Sequence, residues 1–131
     1  MRDMKNLLER WGGWAATGEH GLGYSSVAAG FRGLVHSRPG QRPSCSDNDG
    51  MILDACISRL KKNHPEQHDI LVAHYLWQIS LRAIARRRRC ADGTIRKQIQ
   101  TAEGFIAGVL SALECELECE ETILFLIFSN N

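Results

Sequence analysis

Apolar residues recur at helical rather than strand spacing along most of this chain. Met4, Leu7, Leu8, Trp11 and Ala15 follow one another by three and four, which predicts a first helix that Gly12-Gly13 should weaken toward its end. Gly18, Gly21 and Gly23 mark a loop, after which Ser25 or Ser26 can cap a short helix to about Val35, with Val27, Phe31 and Leu34 on one side. Ser37 to Asp49 is turn chemistry and reads as a surface loop. Ser46 and Asp49 have capping-box spacing and open a helix that turns Ile52, Ala55, Cys56 and Leu60 inward and ends at Lys61-Lys62. Asn63-His64-Pro65 is a stop and a restart. The next helix presents Leu71, Val72, Tyr75 and Leu76 and runs to about Gln78. Ser80 then caps a short helix holding Leu81, Ile84 and Ala85. Asp92 caps a long one with Ile95, Ile99, Ala102, Ile106, Val109 and Leu113 in register. No clean alternation precedes residue 120 and no repeat is visible. The expectation is a compact all-α, multi-helix domain with a helix-turn-helix and a long C-terminal helix.

Charge sharpens this picture. The 131 residues are 44% apolar and 24% charged, ordinary for one globular domain with a real core. The overall charge of +1 hides a polarity: Arg82, Arg86, Arg87, Arg88, Arg89, Arg96 and Lys97 against Asp92 leave Ser80 to Gln100 at +6. From Thr101 onward there are six acidic residues and no basic one. A polyanion such as double-stranded DNA suits the basic segment, through phosphate contacts and counterion release. Mutual compensation of the two segments within one fold is the plainer alternative.

Ser80 to Gln100 also has the order of a helix-turn-helix, spanning about 80–105. Ala85 is the small residue that lets two helices approach, Cys90 a half-buried turn residue, and Ile95 and Ile99 the anchors of the second helix. Asp92, Gly93, Thr94, Arg96, Lys97 and Gln100 then face outward near its start, with Ala91. Arg96 and Lys97 can donate to guanine edges or phosphates, Gln100 can pair with adenine, and Thr94 with the free first-turn amides suits a phosphate. Arg82, Arg86, Arg87 and Arg89 complete the candidate DNA-binding set. Arg89 stands where a turn glycine is usual and must adopt a left-handed or nearby conformation. Arg88 stands where a core leucine is common, so a wider turn is expected. A helical hairpin with a solvated basic face is the competing reading.

Ser80-Leu-Arg-Ala-Ile-Ala85 with Asp92-Gly-Thr-Ile95 resembles the DNA-binding region 4 of bacterial sigma factors. Over residues 1–113 the chain resembles the late-gene antitermination protein Q family of lambdoid phages, in the group without a zinc-binding insert. The resemblance rests on Met1-Arg-Asp, Leu8-Glu-Arg-Trp-Gly12, Trp14-Ala-Ala16, Ser25-Ser-Val-Ala-Ala-Gly-Phe31, Arg42-Pro-Ser-Cys45, Ser58-Arg-Leu-Lys-Lys-Asn63, His68-Asp69 and Ala102-Glu-Gly104. It implies a protein that binds a DNA element near a phage late promoter, in one or two copies, and engages paused host RNA polymerase holoenzyme with its sigma factor. Such a protein then stays with the elongating enzyme and suppresses termination by obstructing the RNA exit channel. A repressor or activator of initiation would share the helix-turn-helix.

The remaining features narrow the class. The expected organisation is a binding domain over 1–113 and an acidic, then apolar, extension over 114–131. That extension reads as helix and core packing, local disorder, or a self-association or polymerase-docking segment. Early charges at Asp3 and Glu9 argue against a secretory signal, and the longest apolar run, Ile123 to Phe128, is far short of a membrane span. The bacterial host cytoplasm, with no membrane partner, is the expected location. Five irregularly spaced cysteines read as reduced thiols. Cys115 and Cys119 share a helical face but lack two further zinc ligands; a composite site with Cys45, Cys56, His64, His68 or His74 is a weaker option, so no metal or other cofactor is expected. Trp11, Trp14 and Trp77 read as core anchors. No phosphate-binding glycine loop, metal-ligand pair or nucleophile elbow appears, and His20 and His36 read as bystanders, so no catalytic residue and no enzyme is expected.

Overall fold

The described residues form six helices: α1 (Met4–Ala15), α2 (Ser25–Gly30), α3 (Asp47–Asn63), α4 (Pro65–Tyr75), α5 (Leu81–Arg88) and α6 (Asp92–Ala112). The fold is that of a computed structural model, and residues 2–17, 23–35, 42–113 and 117–119 are described. No strand occurs among them, so the expected all-α architecture with a long C-terminal helix holds. Gly18, Gly21, His20, His36, Cys115 and the apolar run Ile123 to Phe128 lie outside the described residues.

Helix starts follow local chemistry where a short polar side chain is available. The Asp3 carboxylate accepts from the Asn6 N–H at 3.1 Å, and the Ser46 and Ser80 hydroxyls accept from Asp49 and Ala83 N–H at 3.2 and 3.1 Å. Five boundaries differ from expectation. Ser25 is already helical, with Tyr24 before it making no side-chain cap, and α2 stops at Gly30 with turns beyond. Asp92 is the first residue of α6 rather than its cap, which is Ala91. Turn-forming Asp47 and Asp49 begin α3 inside the expected loop. α4 ends at Tyr75, and Gln78 beyond it takes a left-handed φ of 56°. The capping box is also one-sided. Asp49 is buried, and its carboxylate accepts from Glu118 N–H at 2.6 Å and Cys119 N–H at 2.9 Å instead of reaching back to Ser46. Those bonds tie residues 117–119, with Leu117 in the core, to the start of α3.

α4 packs against every other helix. Its buried residues, Ile70, Leu71, Val72, Ala73 and Tyr75, are more than one stripe, as a helix surrounded on several sides requires. α6 contributes Ile95, Ile99, Ala102, Ile106 and Leu110. Val109 is only half-buried and Leu113 is exposed, because the true stripe passes through Leu110 and the helix ends at Ala112. α3 is turned from the expected phase: Leu53, Cys56, Ile57 and Leu60 are buried while Ala55 is exposed and Ile52 half-buried. Its apolar residues nearly encircle the axis, so packing on α4 and α6 decides the face. Trp11 and Trp14 are core anchors, and Trp77 is half-buried.

Polar anchors fix how these helices meet. Asp54 on α3 accepts from Trp11 Nε1 of α1 at 3.3 Å and from the Tyr24 hydroxyl ahead of α2. The Tyr75 hydroxyl donates to Glu103 of α6 at 2.7 Å. At the end of α4, Arg42 donates to the carbonyls of Tyr75 at 2.8 Å and Leu76 at 3.1 Å, a cation satisfying helix-terminal acceptors. α1 passes so close that a Cβ on Gly12 would overlap the Tyr75 carbonyl, and one on Gly13 would overlap the Pro43 carbonyl. The glycine pair therefore does more than weaken the end of α1; it lets α1 lie against backbone.

Gly12→Ala separates these two roles. Helix propensity alone would make alanine more stable by about 1 kcal/mol, whereas overlap with backbone should destabilise by about 1–3 kcal/mol. Urea unfolding midpoints check the sign. Burial, then the hydrogen bond to a carboxylate, raises both Tyr24 and Tyr75 above the ordinary tyrosine value. Their contribution to stability is thus complete below about pH 10, the unfolded value, and is lost as pH rises above it. Thermal melts from pH 8 to 11 should show a steep alkaline decline that Tyr75→Phe makes shallower.

Candidate nucleic-acid interface

α5 and α6 are joined by three residues, Arg89, Cys90 and Ala91. Ile84 and Ala85 of α5 are fully buried, as are Ile95 and Ile99 of α6, so both helices present one face to the core. The turn is tight rather than wide. Arg89 takes left-handed angles, φ 56° and ψ 48°; its N–H bonds to the Arg86 carbonyl at 3.2 Å and the Cys90 N–H to the Ala85 carbonyl at 3.0 Å. That paired closure is a Schellman motif in which arginine occupies the place glycine favours. Cys90, which follows the left-handed residue of this turn, is exposed, not half-buried.

The predicted residues fall into two groups. Gly93, Thr94, Arg96, Lys97 and Gln100 are exposed on the first half of α6, and Arg86 and Arg89 are exposed beside them in sequence. None of Arg86, Arg89, Arg96 and Lys97 forms an ion pair among the described residues. Arg82 and Asp92 engage each other, Nε to Oδ2 at 3.7 Å, an exposed pair worth a few tenths of a kcal/mol and easily exchanged for another partner. Arg87 has a different attachment: its guanidinium donates to the carbonyls of Gly30 at 3.2 Å and Arg32 at 2.7 Å, fastening α5 to the end of α2. Arg88 lies 5.3 Å from the centre of the Phe31 ring, so a cation–π contact replaces the core leucine expected there. Sequence spacing carries no signal for either attachment, since both partners lie more than fifty residues away.

α6 does double service. Its first two turns carry the outward polar residues, and the same turns are wedged by Ile95 and Ile99, while farther on Ala102, Ile106 and Leu110 bury one face of the helix, which packs on α3 and α4. On one flank, Gln98 shares a shallow cleft with Asn63, His64, Glu66 and Gln67, and the His64 ring meets Phe105 edge-on at 5.8 Å. Among the described residues no group of His, Cys, Asp and Glu could hold a metal ion, and no helix is long and apolar enough to cross a membrane. Burial, with lesser help from nearby carboxylates and Cys119, pushes the Cys45 thiol up to about 11, which keeps it protonated.

The family model described as phage antitermination protein Q matches residues 1–118. The chain belongs to that family. The prophage antitermination protein Q homolog QuuD of Escherichia coli (strain K12) is 46% identical over 92% of this chain and 94% of its own length. The antitermination protein Q of Escherichia phage 933W is 40% identical over 94% of this chain and 85% of its own. Among solved structures, transcription antitermination factor Q21 matches with a TM-score of 0.63 and 25% identity, covering 83% of this chain and 85% of that one.

Relief of the left-handed turn is measurable in this protein. Arg89→Gly should stabilise by about 0.5–1 kcal/mol, the strain of roughly 1–2 kcal/mol less the greater freedom of glycine in the unfolded chain. Arg89→Val should destabilise. Thermal melting of the two variants beside the parent checks both signs.

Proposed function

We propose that this protein is a phage late-gene transcription antiterminator that binds a DNA element near the late promoter through α5 and α6. On this reading α6 enters the major groove with its front end. Arg96, Lys97 and Gln100 meet base edges, while Thr94, Gly93, the first-turn amides and Arg82, Arg86 and Arg89 meet phosphates; Arg87 joins them only through the guanidinium N–H groups that its bonds to Gly30 and Arg32 leave over. Asp92 releases Arg82 to a phosphate on binding. The observation that carries the reading is the row of exposed polar and cationic residues on α6, held outward by fully buried Ile95 on the opposite face. Membership of the antitermination family supplies the process in which that contact serves.

The protein then loads onto host RNA polymerase holoenzyme paused near the promoter and travels with it, in the cytoplasm of the bacterial host. Packed at the RNA exit channel, it leaves no room for a terminator hairpin. Residues 1–113 form the unit that binds DNA and polymerase, and 114–131 an extension to it. The role is one of binding and obstruction, without catalysis.

Transcription with purified holoenzyme on a late-promoter template carrying a downstream terminator tests the reading. The parent protein should raise full-length RNA past the terminator without changing initiation, and Arg96→Ala with Lys97→Ala should abolish the gain. Altered initiation with unchanged readthrough would assign the protein to ordinary repression or activation.

A further inference from the structure

We infer that the corner between α3 and α4, through Lys61 and Lys62, is a second phosphate-binding surface that grips the DNA beside α6. This rests on the reading of α6 as the helix that enters the groove. Arg96, Lys97 and Gln98 leave α6 in different directions: at 3.6 residues per turn, Arg96 and Gln98 are about 160° apart around the axis. Lys97 lies between them on the outward side. Arg96 therefore serves one flank of the helix. The other flank, at Gln98 and Phe105, is where the corner packs: Asn63 and His64 line a cleft with Gln98, and His64 seats on Phe105.

Lys61 and Lys62 form the last turn of α3 directly before that corner, and Arg59 lies one turn behind. All three are exposed, and none forms an ion pair among the described residues. Glu66 is the one acidic side chain lining the cleft, so the corner remains net positive. A helix with its side chains is about 10–12 Å across and the major groove about 12 Å wide, so whatever is packed on the helix's flanks meets the phosphates of the groove walls. One wall, on the Arg96 flank, falls to the arginines of α5 and the turn. The wall on the Gln98 flank falls to Lys61 and Lys62. Such contacts carry no base preference; they set the register and depth of α6 in the groove.

The test uses full-length parent, K61A/K62A, K61R/K62R and Lys97→Ala proteins. Each is titrated by fluorescence anisotropy onto a labelled mixed-sequence duplex of roughly three helical turns, over roughly 50–200 mM salt. Loss of both contacts should flatten the plot of log affinity against log salt by about 1.8, or about 0.9 per phosphate, and K61R/K62R should restore the parent slope. Circular dichroism melts confirm that each variant is folded. An unchanged slope for K61A/K62A, while Lys97→Ala weakens binding, overturns the inference alone. A parent protein that does not bind the duplex overturns the reading of α6 and the inference with it. Normal DNA binding by K61A/K62A with lost terminator readthrough would also overturn it, by assigning the corner to polymerase or RNA.

Discussion

The place where α4 ends governs how the rest of the chain can assemble. α4 touches all the other helices, and Tyr75 at its C-terminus faces several of them at once. The Tyr75 carbonyl lies against Gly12 of α1 and accepts from Arg42, while its hydroxyl donates to Glu103 of α6. These are different kinds of constraint. The Gly12 contact sets a distance, because no side chain fits between two backbones. The Arg42 contact removes the unsatisfied acceptors that a buried helix end would otherwise leave. The Glu103 bond gives a buried carboxylate a donor, without which its burial would be costly. Hydrophobic burial holds α4 and α6 together, and these polar contacts select one arrangement of them.

α6 inherits that arrangement. Its rear half is core and its front half is the candidate interface, within one continuous helix. The outward residues are thus displayed by a rigid element whose position is fixed some distance away, at Glu103, Ile106 and Leu110. Recognition geometry needs such support, since a loosely held constellation loses the advantage of its contacts. Arg87 adds a second brace, linking α5 to the end of α2 through two carbonyls. The charge pattern follows the same division. With an overall charge near zero, the cationic end can orient the molecule toward a polyanion without making the whole surface adhesive.

Local chemistry made much of this legible before any coordinates. Ser46, Ser80 and Pro65 mark helix starts through interactions within three or four residues, and the isoleucine spacing of α6 has one sensible burial phase. The failures have a common cause in contacts that are distant in sequence. The face expected of α3 is wrong at Ile52 and Ala55 because Ile52, Leu53, Ala55, Cys56 and Ile57 are all apolar, and only the neighbours α4 and α6 choose among them. Local propensity marks Gly12-Gly13 only as a weak stretch of helix, whereas the reason for Gly12 is the distant carbonyl of Tyr75. Asp49 had the spacing of a capping partner, yet its carboxylate serves Glu118 and Cys119, nearly seventy residues on. Arg87 was indistinguishable from its arginine neighbours until Gly30 and Arg32 were seen beside it.

Arg89 poses a sharper question about what strain means. Among the described residues two that are not glycine take left-handed angles, Gln78 after α4 and Arg89 after α5. Both end helices, so strain by itself marks a chain reversal and not a function. The two sites differ in what surrounds them. The chain around Gln78 is held by Ile79, whose N–H reaches the Ala73 carbonyl and whose carbonyl bonds His74, both at short range. Arg89 makes no side-chain bond among the described residues, and glycine would close the same Schellman turn without strain. The turn has no need of that side chain, so what arginine adds there is a charge. Under the proposed reading that charge stands where the turn meets the phosphate wall, and the cation outweighs the backbone penalty only when a polyanion is bound.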